Sequence, residues 1–291
     1  MCRWLAYTGS PIRLEDLLTR PSHSLVDQSF GARQLYLPGA PMTTMFRHHA
    51  WPTNGDGFGI GWYGDREFPG QYRDVRPAWS DHNLQRLAEQ ISSPMFLAHV
   101  RAALGGTISR VNCHPFQYGR WLFQYNGEIS GFSKVKRALT FDVTPELYPC
   151  IEGNADTEVV FYLALTYGLD DDPKTALAKA VGRVERARAE AGVEEPFVAC
   201  IAAANGDRIY AVRYSSDKNS HTLYHSVGAL TLTAGDGGDP IALPADGRIV
   251  VSEPLELEYR RSHWVELPEW SITTLQAGRE PIVEDFVPIP V

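Results

Sequence analysis

Runs that read as β-strands come first in this chain, then two helical segments in direct succession, then strands again, and this order narrows the fold more than any other feature. The early strands are GFGIGWYG (57–64), MFLAHVRA (95–102) and RWLFQYN (120–126). Their apolar or alternating patterns suit buried sheet. HNLQRLAEQI (82–91) between the first two has helical spacing. The central block is DTEVVFYLALTYG (156–168), with an acidic first turn, and KTALAKAVGRVERARAEAG (174–192), an amphipathic helix ended by Gly192. After it, PFVACIAAANGDRIYAVRY (196–214) reads as two strands around a turn at Asn205–Asp207, and TLYH, ALTLTA, RIVVSEPL and HWVEL follow as short strands. A doubly wound fold would alternate strand and helix regularly. This order instead predicts an α+β protein with helices stacked outside sheets.

IRLEDLLTR (12–20), between Pro11 and Pro21, is predicted as a short helix, and 22–55 as a long irregular excursion over the surface. No shift in composition marks a linker, so residues 2–291 are expected to form a single domain. The glycines of GDGFGIGWYG (55–64) lie within a strand, and the chain continues through Pro69 without a helix. They therefore read as close backbone approach and not as a nucleotide-binding fingerprint.

A net charge of −8 argues against nucleic acid or an anionic membrane as partner. No apolar run approaches the roughly 18 residues of a membrane span, and no secretory signal is visible. Cys2, Cys113, Cys150 and Cys200 are widely separated and form no CxxC pair. That supplies neither a zinc site nor a disulfide framework, and it makes a reducing cytoplasm the expected location. The His48–His49 doublet lacks any metal-binding context, and no metal or cofactor is expected.

Cys2 becomes the first residue once Met1 is removed. It would then carry a thiol beside an α-amine whose ordinary pKa, near 8, lets it act as a base. Three further segments hold candidate residues. In AHVRAALGG (98–106), Arg101 ends a strand, where a guanidinium can clamp a carboxylate with two parallel bonds or simply form a surface ion pair. In QYNGEI (124–129), Asn126-Gly127 is ordinarily a hairpin turn, but the Asn amide and Gly N–H can together face an oxyanion. In NADTEVV (154–160), Asp156 opens a helix, either as its N-cap or as a carboxylate holding an ammonium group.

Taken in order, MCRW-L-Y, TNGDGFGIGWY, AHVRAALGG, VNCHPF, YNGEI, ADTEVV and VSEPL closely resemble the class II glutamine amidotransferases, which are N-terminal-nucleophile (Ntn) hydrolases, and most of all their stand-alone, YafJ-like subgroup. The resemblance implies a four-layer αββα sandwich of two antiparallel sheets. It also implies Cys2 as nucleophile with its own α-amine as base, and Asn126 and Gly127 as oxyanion hole. Arg101 would take the α-carboxylate of glutamine or a γ-glutamyl compound, and Asp156 its α-ammonium. Two departures stand out. After Arg101 the family's Trp-Ala-Thr-His-Gly is replaced by Ala102 to Gly106, and Tyr125 stands where the family has His before Asn-Gly.

Three functions follow as expectations. The first is hydrolysis of glutamine or a larger γ-glutamyl conjugate, favoured by the altered loop and the 22–55 excursion. The second is delivery of ammonia to a separate synthase subunit, and the third is non-catalytic γ-glutamyl binding. His114 is read as supporting the wall of the site, Cys113 and Cys200 as core thiols, and Trp62, Tyr63, Trp79 and Trp121 as core candidates.

Overall fold

The computed structural model describes residues 2–33, 53–103, 107–256 and 263–291. Strands alternate their side chains between two faces, and here both faces of both large sheets are covered. In β1 (Arg3–Arg13), Trp4 and Ala6 point one way and Leu5 and Tyr7 the other, and all four are fully buried. This two-sided burial explains why the strands read as continuous apolar runs. It also produces the layer order.

β1 is followed by α1 (Glu15–Leu18), α2 (Leu25–Gly31), β2 (Phe58–Tyr63), β3 (Gly70–Asp74), α3 (His82–Gln90) and β4 (Ser92–Val100). Next come β5 (Phe116–Tyr118), β6 (Trp121–Ile129), α4 (Phe132–Phe141), α5 (Asp156–Thr166), α6 (Pro173–Glu190), β7 (Phe197–Ala204) and β8 (Ile209–Ser215). The chain ends with β9 (Tyr224–Ser226), β10 (Thr231–Leu232), β11 (Ile241–Ala242), β12 (Arg248–Val251), β13 (Trp264–Glu266), β14 (Ser271–Leu275) and β15 (Ile282–Asp285). One antiparallel sheet has the order β13-β9-β12-β1-β4-β2-β3 and the other β15-β14-β8-β7-β6-β5.

Three apolar clusters stack between the layers. Trp4, Ala6 and Leu97 of the first sheet meet Leu122, Ala202 and Ala211 of the second, forming the core between the sheets. The other face of the first sheet packs on α1, α2 and α3 through Leu5, Tyr7, Leu17, Leu25 and Leu84. The other face of the second packs on α4, α5 and α6, where Phe123 stacks on Phe161 with centroids 5.0 Å apart. The architecture is the expected αββα sandwich. Hydrogen bonds also cross between the sheets, among them those from Trp4 Nε1 to the Cys200 carbonyl (3.2 Å) and from Gln124 Nε2 to the Leu5 carbonyl (2.9 Å).

Several local expectations change. β1 runs on to Arg13, so the predicted helix over 12–20 shrinks to the single turn of α1. The sheet ladder to β4, which resumes at Ile12 and Arg13, outweighs the local helical spacing. The excursion from 22 contains α2, opened by a capping box in which Ser24 Oγ accepts the Asp27 N–H and Asp27 accepts the Ser24 N–H. Three helices, not two, separate the sheet halves, because FSKVKRALTF forms α4. Residues 34–52, with the His48–His49 doublet, and Leu104 lie outside the described residues. No helix among the described residues is long and apolar enough to cross a membrane.

Candidate active site

Cys2, Arg101, Asn126, Gly127 and Asp156, separated by up to 154 residues in sequence, all line one cavity of about 380 Å³. Cys2 precedes β1, Arg101 follows β4, Asn126 and Gly127 lie in β6, and Asp156 opens α5.

Cys2 stands immediately before β1, half-buried. Its Sγ receives the Ala102 N–H at 3.4 Å and lies 3.6 Å from the Ala102 carbonyl, so the segment after β4 fixes the sulfur. That segment is tied down by the TNGDGFG stretch. Arg101 N donates to the Gly57 carbonyl (2.8 Å), Asp56 N donates to the Arg101 carbonyl (3.0 Å), and Ala103 N donates to Asp56 Oδ2 (2.8 Å). The glycine-rich motif thus positions Cys2. Close approach is also why its strand needs glycine: a Cβ on Gly59 would come within 2.2 Å of the His114 carbonyl.

From the other side, the Cys2 carbonyl accepts from Arg3 (2.9 Å), and Arg3 Nε donates to Glu253 Oε2 at 3.0 Å, both side chains being 2% exposed. Glu253 Oε1 accepts from His23 Nε2 at 2.7 Å, and the Arg33 N–H bonds both oxygens. Burial alone would push the Glu253 carboxyl up, but the His23 hydrogen bond and the Arg3 charge outweigh it and hold the group down to about 2. A carboxylate depressed in the folded state adds stability above its ordinary value of 4.5, and that stability drains away as pH falls from there toward 2. Glu253→Gln is accordingly expected to cost roughly 3 kcal/mol at pH 7, with the deficit narrowing as pH falls through that interval. Urea unfolding at several pH values measures it, and a deficit that does not vary with pH would refute the linkage.

Arg101 is 8% exposed, and one guanidinium nitrogen is buried with no hydrogen-bond partner among the described residues. Asn126 is 2% exposed, and its Nδ2 is likewise buried without a partner among them. A buried donor left unsatisfied costs about 1–3 kcal/mol, and both of these donors belong to residues that line the cavity. Asn126-Gly127 is not a hairpin turn. It sits inside β6 and pairs with Cys200 and Ala199 of β7. A Cβ on Gly127 would lie 1.9 Å from the Val198 carbonyl, which makes glycine obligatory there.

Asp156 is not the N-cap of α5. Ala155 takes that position, leaving Asp156 in the first turn. Its carboxylate accepts from the Ile129 N–H and the Thr157 N–H, each at 2.8 Å. Burial pushes this carboxyl above its usual range, partly offset by those backbone donors. Asn112, of the VNCHPF motif, joins two segments that line the cavity: it donates to the Thr107 carbonyl (3.0 Å) and to Asn154 Oδ1 (2.8 Å), and its Oδ1 accepts the Asn154 N–H. Neither this link nor the Glu253–Arg3 tether was visible in the sequence, which carried only the motifs that contain them. Cys113 and Cys200 are core thiols as expected, 0% and 1% exposed, with burial pushing both up. Tyr63 and Trp121 are buried, and Trp62 and Trp79 only partly so.

The αββα sandwich is the layering of the Ntn-type amidohydrolases. Residues 42–225 match the family model for class II glutamine amidotransferases, and the chain belongs to that family. It is 34% identical over 98% of its length, and 85% of the relative's, to the Saccharomyces cerevisiae protein described as “Probable glutamine amidotransferase DUG3”. It is 30% identical to the γ-glutamyl-hercynylcysteine sulfoxide hydrolase of Mycolicibacterium smegmatis, over 74% of this chain and 79% of that one. Among solved structures, a glutamine aminotransferase class-II domain protein from Silicibacter pomeroyi matches with a TM-score of 0.68 and 31% identity, covering 99% of this chain and all of the other.

Proposed function

We propose that this chain hydrolyses the γ-amide bond of a γ-glutamyl compound through a thioester on Cys2, after removal of Met1. The observation that carries this reading is the pair of idle buried donors, on Arg101 and Asn126, in the same cavity as Cys2 Sγ. Arg101 receives the α-carboxylate and Asp156 the α-ammonium, so the amino-acid head is held at both charges and the γ-carbonyl is presented to the sulfur. The Cys2 thiol passes its proton to its own α-amine as sulfur bonds to the carbonyl carbon of the γ-amide. The oxyanion that forms accepts from Asn126 Nδ2 and the Gly127 N–H. The amine leaves with the proton returned from the α-ammonium, and water then cleaves the thioester to release the γ-carboxylate and free thiol.

A conjugate is favoured over free glutamine because the cavity of about 380 Å³ is lined by Phe132, Pro196 and Val198 as well as by the residues assigned to the amino-acid head. The similarity to a γ-glutamyl-hercynylcysteine sulfoxide hydrolase points the same way. Transfer of ammonia to a separate synthase is the alternative. Free amine released stoichiometrically by the isolated chain would count against it.

The testing experiment is intact mass before and after 6-diazo-5-oxo-L-norleucine, a glutamine mimic that alkylates activated nucleophiles. Loss of Met1 and a single adduct absent from Cys2→Ala support the reading, and a chain that keeps Met1 and takes no adduct refutes it.

Asp156 supplies a pH prediction. Its protonation removes the partner of the α-ammonium, and burial places that protonation above the ordinary carboxylate value of 3.8. L-Glutamine binding to the Cys2→Ala protein, followed by calorimetry, should therefore weaken as pH falls while still above the usual carboxylate range. Asp156→Asn should bind about 10- to 100-fold more weakly at pH 7, with no such pH dependence. A wild-type-like affinity in Asp156→Asn would remove Asp156 from the clamp.

A further inference from the structure

His114 lies in the wall of the cavity, 5% exposed, and makes one side-chain hydrogen bond that decides its chemistry. Its Nδ1 is 2.8 Å from Nε2 of His99, which is fully buried in β4. The same His99 Nε2 is 3.3 Å from the Tyr125 carbonyl, an oxygen that can only accept. His99 therefore carries its proton on Nε2, and His114 Nδ1 must be the acceptor. Both rings are neutral at physiological pH. Burial, aided by the Arg101 charge, holds His99 down to about 3 against the opposing pull of the Tyr125 carbonyl. Burial, the adjacent His99 and Arg101 hold His114 well below its usual range. A neutral His114 with Nδ1 accepting has its one proton on Nε2.

The ring's other surroundings aim that proton. The His114 backbone carbonyl packs against Gly59 of β2, and Phe116 covers the ring with centroids 5.1 Å apart. Nδ1 is taken by His99, so the nitrogen left to face the cavity is Nε2. Arg101, whose charge acts on both rings, brings its idle guanidinium nitrogen to the same cavity.

We propose that His114 is a substrate-binding residue: its Nε2–H, set by the relay from Tyr125 through His99, donates beside Arg101 to the α-carboxylate of the γ-glutamyl substrate. This rests on the γ-glutamyl reading of the cavity. A neutral donor adds a directed bond to the carboxylate without adding a second cation to compete with the substrate's ammonium for Asp156. It also makes the carboxylate end selective, since an α-carboxamide cannot accept from Arg101 and His114 in the same way.

The test compares His114→Phe, which fills the ring's space and removes the donor, with His114→Gln, whose side-chain amide places an N–H near the position of Nε2. Amine release from γ-glutamyl-p-nitroanilide and from its α-carboxamide analogue gives kcat and KM for each. Loss of a hydrogen bond to a charged group predicts a 10- to 100-fold fall in kcat/KM for His114→Phe, mostly in KM, on the carboxylate substrate. His114→Gln should recover most of it, and the carboxamide analogue should show little difference between the two variants. Histidine ¹⁵N spectra of the wild-type protein should show His114 protonated on Nε2.

A Nδ1-protonated ring overturns the inference, as does His114→Phe with wild-type KM or His114→Gln no better than His114→Phe. If wild type cleaves neither compound and takes no label at Cys2, the γ-glutamyl reading itself fails and this inference falls with it. An active, labelled wild type with unchanged His114→Phe kinetics overturns this inference alone.

Discussion

Cys2→Ala is expected to lower kcat for γ-glutamyl amide cleavage by roughly five to six orders of magnitude, the loss typical when the nucleophile of a cooperating set is removed. Stability should change little. The sulfur is half-buried, and its two contacts, to Ala102 N and O at 3.4 and 3.6 Å, are weak. Substrate binding should also survive, because Arg101 and Asp156 reach the cavity on other elements. The decisive comparison is amine release by wild type and variant at equal folded concentration, with glutamine binding measured in parallel. A variant that binds but does not turn over fits a nucleophile, whereas residual activity above about one per cent of wild type would mean that another group attacks the carbonyl.

Asn126→Ala is expected to lower kcat by about two to three orders of magnitude with little change in KM, the pattern for a donor used only in the transition state. The resting structure supports this split: Asn126 Nδ2 is buried and has no partner among the described residues, so removing it breaks no ground-state bond of that amide. Asn126→Asp keeps the shape but replaces the donor with a carboxylate facing the developing oxyanion, and kcat should fall at least as far. Steady-state kinetics on both variants check the point. A KM effect with kcat preserved would reassign Asn126 to substrate binding and leave the oxyanion to other donors.

The site was more legible than several of the elements that hold it. Cys2, Arg101, Asn126, Gly127 and Asp156 each sit in a short motif whose residue types suggest a task, and the structure gathers all five around one cavity. Local signals failed where tertiary contacts compete with them. Asn126-Gly127 reads locally as a turn, yet pairing with β7 keeps it in extended strand. Asp156 reads as an N-cap, yet its carboxylate accepts the Ile129 N–H at the end of β6. IRLEDLLTR has helical spacing, yet its first residues complete the ladder with β4.

By itself the sequence determined the layer logic and the chemical inventory. Strand periodicity, the helical block and the residues able to attack, clamp and donate are properties of neighbouring positions along the chain. The tertiary structure alone decided how those groups are held and in what state. The Arg3–Glu253 pair that tethers Cys2 spans 250 residues, and the relay from Tyr125 through His99 to His114 joins β4, β6 and the segment before β5. Both depend on burial and on distances of about 3 Å between side chains far apart in sequence. No pattern along the chain encodes such distances, because they arise only when the sheets stack and water is excluded between them.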